Sequence, residues 1–89
     1  MFNKKDAWNI EVTDRKSFEK FLKLLLIDFN KNKEKEIWEN NRLETYLEAM
    51  SRYTADIDGY YKNMEPNQNA DKPSWKVFAD IMKGAVVYE

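Results

Sequence analysis

The sequence predicts a mainly α domain of three principal helices packed around the first, with at most a minor two-stranded ribbon joining the termini. Three observations lead there. The chain has 89 residues, room for one hydrophobic core and too few for two, so 1–89 reads as a single small domain. Apolar residues recur at spacings of three and four in three separated stretches. Strand-like patterns are confined to the two ends, in the Trp8, Ile10, Val12 alternation and the β-branched pair Val86-Val87.

Residues 1–12 carry Phe2, Ala7, Trp8, Ile10 and Val12 among polar neighbours and read as an N-terminal extension or edge strand. Residues 13–89 form the helical region. Thr13 or Asp14 caps the first helix, and Phe18, Phe21, Leu22, Leu25 and Phe29 share one face of it to about Asn30. Leu24, Leu26 and Ile27 widen that stripe, which marks this helix as one touched on more than one side. Residues 30–36 contain no apolar side chain and read as a solvated connection. Asn41 and Glu44 have capping-box spacing for a second helix, with Leu43, Tyr46, Leu47, Met50, Tyr53 and Ile57 inward and a Glu48/Arg52 pair outward. Asp58-Gly59 is the natural stop, followed by a long loop from Tyr60 to Lys72. Asp71 or Ser74 caps a third helix whose apolar face is Trp75, Phe78, Ala79, Met82 and Ala85, weakened at its end by Gly84.

Composition removes whole classes of function. Fifteen basic and sixteen acidic residues leave a net charge of -1, so no global field draws nucleic acid or an anionic membrane. The longest apolar run, Leu24 to Ile27, is far short of the ~20 residues of a membrane span, and the N-terminus shows no apolar leader, which points to the cytoplasm. Without Cys or His there is no thiol nucleophile, imidazole base or zinc-finger ligand set. With only Gly59 and Gly84, no phosphate-cradling glycine loop can be written. No cofactor is expected.

Three stretches carry a resemblance: Trp38-Glu39-Asn40 leading into Tyr46-Leu47-Glu48-Ala49-Met50, then Asp58-Gly59-Tyr60-Tyr61-Lys62-Asn63, then Pro73-Ser74-Trp75, Phe78-Ala79 and Tyr88-Glu89. Across residues 13–89 the chain resembles a small bacterial family of unknown function. The resemblance implies a bacterial domain, stand-alone or appended, and supplies no catalytic residue, cofactor or partner.

Two constellations remain. Asp56, Asp58, Gly59 and Glu65 fall on four positions of a calcium loop spanning residues 54–65, but Thr54 and Lys62 occupy two others and Pro66 obstructs an exiting helix. The aromatic residues outside the helical faces are the second. Trp38, Tyr60 and Tyr61 either plug the core and pin the loop, or join Asn40, Lys62 and Asn63 in a recognition patch. On the second reading the chain is a non-enzymatic bacterial protein-binding module. It takes an unidentified protein partner and neither nucleic acid nor membrane. Its specific form is an antitoxin or immunity-type protein whose acidic, aromatic 38–65 surface blocks a basic partner. The alternative is a small-molecule or metal-dependent activity using Asp56, Asp58 and Glu65.

Overall fold

Helix α1, Arg15–Asn32, begins at a reciprocal cap. The Asp14 carboxylate accepts the Ser17 N–H at 2.8 Å while the Ser17 hydroxyl oxygen accepts the Asp14 N–H at 3.0 Å. The backbone and side-chain hydrogen bonds from Ser17 hold the Asp14 carboxyl below its usual range. Phe21 and Leu25 are the buried residues of this helix. The computed structural model describes residues 5–89; Phe2, one of the apolar positions counted in residues 1–12, lies outside them.

Helix α2, Leu43–Met64, departs from expectation at both ends. No capping box forms at its start: Arg42 is the N-cap and makes no side-chain cap bond, while the Asn41 amide donates to the Lys33 carbonyl at 2.7 Å. At its other end the helix passes through Gly59, whose φ is not positive, and stops at Met64. The reason is a four-residue repeat that the glycine conceals. Tyr53, Ile57 and Tyr61 stack on one face, and Ile57 and Tyr61 are almost wholly buried. Burying each gains roughly 1.5–3 kcal/mol, more than the ~1 kcal/mol a helical glycine costs. The loop therefore begins at Glu65, and residues 54–64 of the candidate calcium loop are helix.

Ser74 caps helix α3, Trp75–Ala85, its hydroxyl accepting the Val77 N–H at 3.1 Å. Gly84 sets the approach of α2, because a Cβ there would collide with the Tyr53 ring. The mainly α, three-helix architecture is as the sequence predicts. Its centre differs: α3, not α1, is the helix that packs on both others, and the backbones of α1 and α2 do not approach each other closely.

Two clusters hold the fold. The larger gathers Ala7, Val12, Phe21, Leu25, Trp38, Ala79 and Val86; the smaller gathers Ile57, Tyr61 and Val77. The terminal ribbon does not form, and there is no strand among the described residues. Residues 7–9 make a turn, and the C-terminal tail is held instead by Asn40. The Asn40 N–H donates to the Val86 carbonyl at 3.0 Å, and its side-chain amide donates to the carbonyls of Ala85 and Tyr88, each at 2.8 Å.

Candidate functional site

The six residues of the expected recognition patch do not come together. Trp38 and Tyr61 are core, only 5% and 1% exposed. The Trp38 and Phe29 rings form a T-shaped pair with centroids 5.0 Å apart, and the Trp38 indole N–H donates to Asp28 at 2.7 Å, a carboxylate that also accepts from Trp8 and Asn32. Partners so distant in sequence cannot be read from local spacing. Asn40 is committed to the C-terminal tail. Tyr60, Lys62 and Asn63 are exposed at the end of α2, as the patch requires, but Tyr60 and Trp38 line different concavities.

The first concavity is a polar cleft of about 510 Å³, lined by Ile10, Tyr53, Tyr60, Glu65, Lys76 and Asp80 among others. Asp80 is its hub. It accepts from the Tyr61 hydroxyl at 2.7 Å and from Lys76 at 2.7 Å, and Lys83 stands 3.5 Å away. Lys76 also reaches Glu65 at 2.9 Å. Burial by itself would pull the Lys76 ammonium down, but bonds to Asp80 and Glu65 outweigh it and raise its pKa. Burial, reinforced by Asp80, pushes the Tyr61 phenol up, and burial does the same to Tyr53. Each of the three therefore holds its proton more tightly than usual, away from the near-neutral pKa of an efficient general acid or base. Sequence reasoning missed this cluster. Its signal is the i,i+4 and i,i+3 spacing of Lys76, Asp80 and Lys83, the one charged stripe of an otherwise apolar helix.

Asp56, Asp58 and Glu65 are each engaged separately. Asp56 accepts from the Tyr88 hydroxyl, Asp58 from the Gly59 N–H at 2.9 Å, and Glu65 pairs with Lys76. Among the described residues no three Asp, Glu, His or Cys side chains are grouped to hold a metal ion.

The second concavity is an apolar groove of about 330 Å³ between α1 and the start of α2. Leu22, Leu25, Leu26 and Phe29 form one wall, Leu43 and Tyr46 the other, with Trp38 and Met82 also lining it. The Tyr46 hydroxyl donates to the Met82 carbonyl at 2.8 Å, and burial raises its pKa to about 12. The groove exists because α1 and α2 lean on α3 and not on each other. Its rims are unusually bare: Leu26 is 59% and Leu43 74% exposed, and Leu47, one turn beyond Leu43, is also exposed. Leu22, Leu43 and Leu47, expected inward from their spacing, thus face outward. Of the widened stripe only Leu26 signals this feature, since Leu24 packs on the main core and Ile27 is exposed outside the groove lining.

Fold and surface thus define a small three-helix protein with a cleft built around the Asp80 network and an open apolar groove. Over residues 14–89 the chain matches the model of a family described as "Family of unknown function (DUF7660)", and it belongs to that family. No curated protein and no solved structure matches it. Among the described residues no helix is long and apolar enough to cross a membrane.

Proposed function

We propose that this is a non-catalytic protein-binding module of the bacterial cytoplasm, and that it binds through the α1/α2 groove. The observation that carries this is the row of bare leucines, Leu22, Leu26 and Leu43, around a concavity floored by core side chains. Exposed apolar area collected around a groove, with Asn40, Asn41 and Arg42 at its edge, has the make-up of an interface centre and its polar rim. The polar cleft supports the non-catalytic part of the reading, because Tyr53, Tyr61 and Lys76 are driven away from neutrality. A role in blocking another protein, of the antitoxin or immunity type, is compatible with such a surface, but the blocking face would be the groove in place of the acidic 38–65 patch.

The chain has no cysteine, so one can be placed at will. Leu26→Cys carrying a photocrosslinker should form discrete protein adducts in extract of the native host, and Tyr60→Cys, in the polar cleft, should not. Equal adducts from both positions, or adducts from Tyr60→Cys alone, would overturn the assignment of the surface.

A further inference from the structure

Residues 6–13 precede the first helix and the stretch matched by the family, yet they reach the middle of the larger cluster. Ala7 is wholly buried and Val12 is 6% exposed, in one cluster with Phe21 of α1 and Ala79 of α3. Ile10, Glu11, Val12 and Thr13 also line the Asp80 cleft and make one wall of it. The segment carries its own fold. The Asp6 carboxylate accepts the N–H groups of Trp8 at 2.9 Å and Asn9 at 3.1 Å, and the Asn9 side-chain oxygen accepts the Asp6 N–H at 2.8 Å. The Asp6 carbonyl accepts the Ile10 N–H at 3.1 Å. A turn tied by its own Asp and Asn keeps its shape whether or not it touches the helices. At the other end the Thr13 N–H donates to the Ser17 hydroxyl oxygen at 2.9 Å, which fixes the segment to the cap of α1 and makes that cap a pivot.

The grip on the helices is lighter. The Trp8 indole N–H donates to Asp28 at 3.4 Å, whereas the Trp38 indole reaches the same carboxylate at 2.7 Å. One carboxylate thus holds the chain after α1 tightly and the chain before it loosely. Releasing the segment returns backbone freedom along its whole length and gives up little apolar area, because the two side chains it buries, Ala7 and Val12, are small. The helices keep their own contacts: α3 packs on both α1 and α2, and the cluster of Ile57, Tyr61 and Val77 takes nothing from the segment. We infer that residues 6–13 form a strap, pivoted at the α1 cap and latched by Trp8 on Asp28, that leaves the helices as a unit while they stay folded. Closed, it completes the core; open, it takes one wall from the Asp80 cleft and bares Ala79.

Because the chain has no cysteine, a single one reports on a chosen site. Val12→Cys lies under the strap, and Val77→Cys, at a position 3% exposed in the smaller cluster, reports the opening of the helices. In the full chain at neutral pH, with each rate taken relative to that in denaturant, a thiol reagent should modify Val12→Cys about tenfold or more faster than Val77→Cys. Adding Trp8→Ala, which removes the latch, should speed Val12→Cys by about a further tenfold and leave Val77→Cys within about twofold. If Val12→Cys melts early, Ala7→Cys takes its place. Equal rates at the two sites, or equal acceleration of both by Trp8→Ala, would overturn the strap and make residues 6–13 part of one cooperative core. Fast modification of Val12→Cys that ignores Trp8→Ala would overturn the latch.

Discussion

The polar cleft and the apolar groove lie on the same scaffold and handle their surfaces in opposite ways. In the cleft, Asp80 collects a phenol and two ammonium groups, and Glu65 takes a further bond from Lys76, so these four charged groups satisfy one another within the chain. In the groove, Leu22, Leu26 and Leu43 stand at a concavity with nothing over them. A satisfied polar network stiffens a small domain but leaves little for a ligand to gain. An uncovered apolar rim does the converse, lowering solubility and rewarding whatever covers it. On the proposed function the Asp80 cleft is structural, and the groove is where the molecule has binding energy to offer.

The sharpest way to break this comparison is to mutate adjacent residues of α1 across the boundary between core and rim. Leu25 is 6% exposed and Leu26 59%. Leu25→Ala should cost on the order of 2–5 kcal/mol in thermal or urea unfolding, since it empties the floor of the groove. Leu26→Ala should cost under about 0.5 kcal/mol of fold stability. Near-equal losses would mean that the groove is part of the core and that its rim is closed to a partner.

Alkaline pH gives the next largest effect and touches both regions. Tyr46, at the groove, and Tyr61, at the cleft, have pKa values raised by burial, Tyr46 to about 12. A group whose folded pKa lies above its unfolded value contributes stability that is complete below the unfolded pKa, near 10 for tyrosine, and lost as pH rises through the folded one. Lys76 adds to the same trend. Stability should be flat up to about pH 9.5 and fall by roughly 2 kcal/mol towards pH 12, a figure that allows for the water still reaching Tyr46. Tyrosinate absorbance should rise in the same transition. Tyr46→Phe should flatten part of the fall; an unchanged profile would show that Tyr46 titrates freely and that the groove is wetter than its lining suggests.

These two tests also mark how far the sequence reaches. Helix α1 is legible because its determinants are local: Asp14 and Ser17 three apart, and Phe21 and Leu25 at helical spacing. The end of α2 is not, because Gly59 signals a stop within its own neighbourhood while the burial of Tyr61 is decided by α3, far along the chain. Trp38 reads equally as plug or patch without the Asp28 carboxylate that holds its indole. The groove is half legible. The leucine surplus of α1 announces that more than one side of it is apolar, but whether the second side is covered depends on where α2 lies, and no spacing within α1 encodes that.

The smallest effect concerns the groove's edge, where two local preferences are broken together. Arg42 occupies the N-cap of α2 in extended conformation, with no side-chain bond to the helix's free N–H groups. Its cation also sits at the positive end of the helix dipole, where an acceptor or an anion is favoured. The next residue, Leu43, is among the most exposed apolar side chains of the protein. Helix α1 and helix α3, away from this edge, are capped by Asp14 and Ser74 in the ordinary way. Departures from local preference tend to collect at functional surfaces, where stability has been given up for contact. Arg42→Asn should therefore stabilise the protein by about 0.5–1 kcal/mol, since a cap bond is gained and the ion pair lost is the exposed one with Glu44 at 3.6 Å. The same substitution should weaken capture of a partner at the groove, because it removes a guanidinium from the groove's polar rim. Thermal melts, set beside the adduct yield of the Leu26→Cys photoprobe with and without the substitution, separate the two signs. A variant that gains in both would show that Arg42 is merely a poor cap, and the α2 edge of the groove would lose its claim to be shaped by binding.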